Sequence, residues 1–187
     1  YYITAESRAA AEASPHMEIF RNKGVEVLLL TDPVDEWAVS SRTEFEEKKL
    51  VSIVKGKLDL GDITKEEKQN AENSEKNFKS LRDVIRKQFQ DSVKDVRTTS
   101  RLVDSPCCLV GEENDLSPHL ERLMKTMNKG GLSVKKIMEI NPVHPIIVHL
   151  NNIAEKDSTS AELGEWITLL YDQALLAQGS KLNDPKK

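Results

Sequence analysis

The run Val25 to Leu30, opened by Gly24 and closed by Thr31, Asp32 and Pro33, constrains this chain more than any other stretch. Val25, Val27, Leu28, Leu29 and Leu30 suit an extended backbone, and turn residues bound them on both sides. A short apolar run of this kind predicts a strand buried on both faces, in a parallel sheet covered by helices. Asp35, Glu36 and Trp37 follow directly, where open α/β sheets tend to place their ligands. Taken alone, Trp37 reads as a core anchor, with a contact surface as the alternative.

The flanking sequence fits a small α/β unit. Tyr1 to Thr4 has strand composition, Ala5 to Ala13 offers a closely packing helix face, and Ser14-Pro15 supplies a cap and first-turn proline for a second helix that Gly24 ends. Beyond Trp37, the residues Phe45, Leu50, Ile53 and Val54 predict a short helix and then a strand, with a loop from Lys55 to Gly61. Composition shifts at that point. Thr64 to Glu67 is a capping box, and the helix it starts is polar through Asn77 before Phe78, Leu81, Ile85 and Phe89 recur at helical spacing. This places a domain boundary near Gly61, separating residues 1–61 from 62–187.

The second part reads as α+β. Val93 to Leu102 alternates as a half-exposed antiparallel strand, and Ser105 to Val110 supplies its neighbour, with Cys107 and Cys108 as buried small hydrophobes. Leu116, Leu120, Leu123, Met124 and Met127 form one face of an amphipathic helix. Pattern alone turns that face toward the chain's own core, although methionines would also let it adapt to varied partners. Val134 to Ile140 predicts a further strand, and Asn141-Pro142 a helix start. His144 and His149 lack the spacing of a zinc pair and read as structural. From Ala161 to Gln178 the apolar surface is too wide for one neighbour, which calls for a helix bundle. The fold class is therefore α/β followed by α+β: a small helix-flanked sheet, a long helix, a small antiparallel or mixed sheet, and C-terminal helices.

Bulk properties narrow the function classes. The formal charge of -4 comes from 31 acidic and 27 basic residues mixed along the 187-residue chain, so no basic stripe for nucleic acid and no polybasic membrane patch stands out. Adjacent cysteines form no ordinary disulfide framework and no zinc spacing, which favours a reducing, cytoplasmic setting. No phosphate-binding glycine loop, nucleophile elbow or H-E-x-x-H occurs, and no catalytic constellation is visible. Proteins are the expected partners.

Several long, ordered segments then carry a resemblance: YYITAES at Tyr1 to Ser7, SPHMEIFRNKGVEVLLLTDPVDEW at Ser14 to Trp37, EF at Glu44-Phe45, VKDVRTTSRLVDSP at Val93 to Pro106, EINPVHP at Glu139 to Pro145, and LLYDQALLAQG at Leu169 to Gly179. The chain resembles the Hsp90 molecular chaperones, in particular their bacterial HtpG form. The resemblance implies a fragment holding the end of the middle domain (1–61) and the carboxy-terminal dimerisation domain (62–187), with the ATP- and magnesium-binding domain upstream and no cofactor or catalytic residue within these residues. It implies unfolded or partly folded client proteins as partners, held by Glu36, Trp37 and Ser40 on one wall of a cleft and by Leu116, Leu120, Leu123 and Met124 on the other. Ser40 stands where the family more often has an amide side chain. It also implies homodimerisation through Leu163, Trp166, Ile167, Leu170, Ala174 and Leu175, with the second pairing helix of the family not represented and dimerisation weakened. The MEEVD tail that binds tetratricopeptide co-chaperones is absent, and neither nucleic acid nor membrane is an expected partner. The runner-up is a purely structural dimerisation module without a client surface.

Overall fold

The computed structural model describes residues 1–56, 58, 73–126 and 134–182. The domain boundary near Gly61, the Thr64 to Glu67 capping box, most of the polar half-helix, Met127 and Asp184-Pro185, a pair whose sequence suits the start of one more helix, lie outside the described residues.

The chain opens with β1 (Tyr2–Thr4), α1 (Arg8–Glu12), a 3-10 turn at Pro15–Met17, α2 (Glu18–Lys23) and β2 (Leu28–Leu30). Ser7 caps α1 by accepting from the Ala10 amide at 3.2 Å, and Gly24 ends α2 at φ 65°, a left-handed position that costs other residues more. β1 and β2 pair in parallel, Ile3 opposite Leu29. β1 also bridges on its other side, where the Tyr2 amide donates to the Val51 carbonyl and the Tyr2 carbonyl accepts from the Ile53 amide, both at 3.0 Å. The predicted run thus shrinks to three paired residues. It is not buried on both faces: Leu28 is exposed, and Leu29 and Leu30 are only partly covered. With a single strand neighbour among the described residues, β2 lies at an edge there, and the core beneath it comes from Ile3, Ala11, Met17, Phe20, Ile53 and Val54.

Next come α3 (Pro33–Ser41) and a small hairpin of β3 (Glu44–Phe45) and β4 (Lys48–Lys49), in place of the expected helix and strand. Glu46 and Glu47 turn that hairpin at positive φ. Helical residues 73–77 lead to α4 (Lys79–Gln88), β5 (Val93–Thr98), β6 (Cys107–Val110), α5 (Pro118–Thr126), β7 (Lys136–Ile140), α6 (Pro145–Lys156) and α7 (Ala161–Ala177). The second sheet has the order β5-β7-β6. β6 is antiparallel to the central β7, whereas β5 is parallel to it, so the alternation read from Val93 marked a strand but not its pairing sense. Helix α6 starts at Pro145, three residues later than expected. Asn141 instead accepts from the Val143 amide at 3.2 Å, and His144 Nδ1 takes the capping position by accepting from Ile146 at 3.2 Å.

The second core joins α4, α6 and α7 to this sheet through Leu81, Ile85, Val96, Met138, Ile140, Ile147, Leu150, Leu163 and Ile167, all fully buried. Each such side chain contributes about 1.5–3 kcal/mol by leaving water. Cys107 and Cys108 are free and buried, and burial pushes the Cys107 thiol up to about 12 and Cys108 well above its ordinary value, the behaviour of packing residues.

Polar contacts sew the first sheet to the second. The Arg101 guanidinium donates to the Ile53 and Gly56 carbonyls, both at 3.1 Å, and pairs with buried Glu139 at 2.7 Å, which Arg97 also holds at 2.5 Å. Gly56 and Val54 exchange backbone bonds with Gly111 at 2.9 and 3.1 Å. Glu18 on α2 accepts from the Val103, Asp104 and Ser105 amides at 2.6, 2.9 and 3.1 Å.

Candidate interaction surface

Helix α3 begins where Asp35 accepts from the Asp32 amide at 2.9 Å, with Pro33 in its first turn. Successive helical residues point about 100° apart, so neighbours on α3 have opposite fates. Trp37 is 67% exposed and Glu36 only 4%. Exposure rules out the core-anchor reading of Trp37. Ser40 is exposed one turn on, and its hydroxyl donates back to the Glu36 carbonyl at 2.5 Å.

The second wall is α5. Ser117 caps it by accepting from the Leu120 amide at 3.0 Å, and Pro118 occupies the first turn. Leu116, Leu120 and Met124 are partly buried, so their stripe is divided between core and solvent; the Leu123 side chain lies outside the described residues. α3 packs against α5. Ser117 closes the contact, donating from its hydroxyl to Glu36 Oε1 at 2.5 Å. Below, Lys136 pairs with Glu121 on α5, both largely buried. Lys55 sits in the same group, where burial lowers its pKa, Glu36, Asp115 and Glu121 resist that fall, and Lys136 adds to it. At its far side α5 is tied to α7 by Arg122, which donates to the Gln178 carbonyl at 2.5 Å, a cation at a helix C-terminus.

The structure sets α3, which carries Glu36, Trp37 and Ser40, beside α5, which carries Leu120 and Met124 with Leu116 just before it, and joins the two helices through Glu36 and Ser117. Glu36 has almost no surface to offer. Ser117, Glu121 and Lys136 were missed from sequence; Ser117-Pro118 repeats the cap-plus-proline signature of Ser14-Pro15 and would have found the first of them.

On α7, Leu163, Ile167, Leu170 and Ala174 are buried in the chain's own core, and Leu175 is partly buried. With 3% exposure or less, the first four have no surface left for a second chain. Trp166 is 40% exposed, and Leu169 and Leu176, part of the apolar surface read from sequence but not of the implied pairing set, are 56% and 57% exposed. These three lie along one outward stripe of α7. The wide apolar surface is thus two faces, one packed and one open.

Among the described residues no cluster of three or more His, Cys, Asp or Glu side chains is placed to hold a metal ion, and no helix is long and apolar enough to cross a membrane. What the residues do form is a mixed α/β framework presenting aromatic and aliphatic side chains at its surface. The family model described as Hsp90 protein matches residues 1–187, and the chain belongs to the Hsp90 family. It is 48% identical over 186 residues to Chaperone protein HtpG of Nitrosococcus oceani and 48% identical over 186 residues to that of Bordetella avium, covering 99% of this chain and 29% of each relative. Chaperone protein HtpG of Burkholderia cenocepacia is 46% identical over 185 residues, covering 99% of this chain and 28% of the relative. The chain thus spans under a third of the length of these relatives.

Proposed function

We propose that this chain carries the client-holding surface of an HtpG-type chaperone, gripping unfolded or partly folded proteins between Trp37 on α3 and the apolar stripe of α5. The observation behind this reading is a tryptophan 67% exposed on a helix packed directly against another helix whose apolar face keeps part of its surface open. An exposed indole beside aliphatic and thioether groups binds many shapes weakly, which suits a generalist. Whole-protein properties complete the proposal: a cytoplasmic, ATP-dependent homodimer in which nucleotide and magnesium are handled by parts of the parent outside these residues. Pairing falls to the exposed stripe Trp166, Leu169 and Leu176, joined at its edge by Leu175, because these retain surface while the remaining apolar residues of α7 are committed to the core.

Trp37→Arg tests the reading. Binding of a permanently unfolded test protein, followed by fluorescence anisotropy of the labelled client, is expected to weaken by about tenfold, the loss of one aromatic hot spot. Thermal stability should stay within about 0.5 kcal/mol because the site is exposed. Undiminished binding would favour the alternative of a structural dimerisation module whose clients bind elsewhere in the parent.

A further inference from the structure

Glu36 sits beside the most exposed aromatic of the surface yet is itself buried, and what it touches is the cap of the opposite wall. A serine hydroxyl has one proton and two lone pairs. At Ser117 the proton goes to Glu36 Oε1 at 2.5 Å, and a lone pair receives the Leu120 amide at 3.0 Å. The same hydroxyl therefore starts α5 and fastens it to α3. Ser40 adds a bond to the Glu36 carbonyl at 2.5 Å, one turn along the helix. With Glu36 fixed inward toward α5, the helical rotation fixes Trp37 outward at the rim.

The joint gathers three carboxylates and two ammonium groups. Glu36, Asp115 and Glu121 face Lys55 and Lys136, and Lys136 pairs directly with Glu121. Gly111 and Lys55 form a backbone bridge next to them. The α5 N-terminus is consequently located by two directional polar contacts, Ser117 to Glu36 and Glu121 to Lys136, whereas its apolar stripe, partly open to solvent, sets no unique angle.

We propose that Glu36 is a positioning residue for client binding: through Ser117 it sets the orientation of the α5 stripe relative to Trp37, and it does not touch the client. This rests on the client-holding reading above, and it assigns Ser117 to the same machinery.

A double-mutant cycle on the 187-residue chain tests it, with affinity for the permanently unfolded test protein and the anisotropy of Trp37 emission, in a Trp166→Phe background, as readouts. Ser117→Ala and Glu36→Ala are each expected to weaken client binding by roughly threefold or more, and the double variant no further than the weaker single, as for two halves of one joint. Glu36→Gln, which keeps an acceptor for the Ser117 hydroxyl, should restore most of the binding. Trp37 anisotropy should fall in Ser117→Ala and recover in Glu36→Gln. If Glu36→Ala fails to fold, Ser117→Ala and Glu36→Gln carry the test between them. The proposal is overturned if Ser117→Ala binds like the parent with unchanged Trp37 anisotropy, or if Glu36→Gln loses as much binding as Glu36→Ala, the signature of a charge that contacts the client. If Trp37→Arg binds normally, the client reading fails, while the anisotropy of Ser117→Ala still decides whether the joint orders Trp37.

Discussion

Acidification should weaken this fold through His16 well before its carboxylates titrate. His16 lies in the 3-10 turn between α1 and α2 and is 4% exposed. Burial, reinforced by the nearby Arg101 charge and only partly opposed by a hydrogen bond to the Leu109 backbone, lowers its pKa from an ordinary 6.5 to about 3. Its Nδ1 has no partner within the protein, so a proton there gains nothing in the folded state. The unfolded chain takes up that proton near pH 6.5 and the folded chain does not. Stability is thus complete above pH 6.5 and declines as pH falls toward 3. At about 1.36 kcal/mol per unit of pH once the unfolded histidine is protonated, the loss between pH 7 and 5.5 is about 1 kcal/mol. For a chain of this size that lowers the unfolding midpoint by roughly 2–4 °C.

The assay is thermal unfolding followed by circular dichroism from pH 7.5 to 5, comparing the parent with His16→Gln, whose amide can still donate to Leu109 but does not titrate. The difference in midpoint between the two proteins should change by those few degrees across the interval. His119, His144 and His149 are present in both proteins and cancel. Glu18 acts in the same direction in a lower window: burial raises its pKa, but bonds from the Ser105 side chain and the Val103, Asp104 and Ser105 amides outweigh this and hold it below the ordinary 4.5. Its contribution is lost only as pH falls through that range. Parallel pH profiles for parent and variant would refute the account of His16.

Arg101→Met should cost about 3 kcal/mol, measured by urea unfolding, because buried Glu139 loses one of its two arginines, the Ile53 carbonyl loses the Arg101 donor and the Gly56 carbonyl is left with the longer bond from Arg97 at 3.4 Å. On α7 two variants should separate the two faces. Trp166→Glu with Leu169→Glu is expected to reduce self-association in sedimentation velocity with the unfolding midpoint nearly unchanged, whereas Ile167→Ala should destabilise by about 2–5 kcal/mol through the cavity it leaves.

Local signals were legible in the sequence where one residue's chemistry decides the outcome. Ser14 and Gly24 bound their elements as their side chains or lack of one require. At Asn141 two neighbouring signals competed, since both Pro142 and Pro145 can open a helix. The later one won because His144 could cap while Asn141 bonded to Val143 and also donated to the Ser105 carbonyl at 3.2 Å. The stripe on α7 was correctly read as too wide for one neighbour, but periodicity measures apolar width and does not say which part is already covered. Leu28 failed for a related reason: composition marks strand competence, while burial depends on how many strands and helices finally flank it.

The candidate surface illustrates a different limit. Its apolar members, Trp37, Leu116, Leu120 and Met124, are visible as residue types, yet apolar burial is non-directional and leaves the angle between α3 and α5 open. The contacts that set directions are Glu36 to Ser117, Arg101 to Ile53 and Glu18 to Ser105, which join residues 81, 48 and 87 positions apart. No periodic pattern spans such distances, and no partner taken singly marks the contact it makes. Burial changes their weight. A hydrogen-bonded carboxyl that is 4% exposed cannot be released to water without leaving its partner unsatisfied, so it holds geometry more stringently than its modest net stabilisation implies. That is why the residue beside Trp37 acts on the shape of the surface from behind it, and why substitutions at Glu36 and Ser117 should resemble each other more than either resembles a substitution at Trp37.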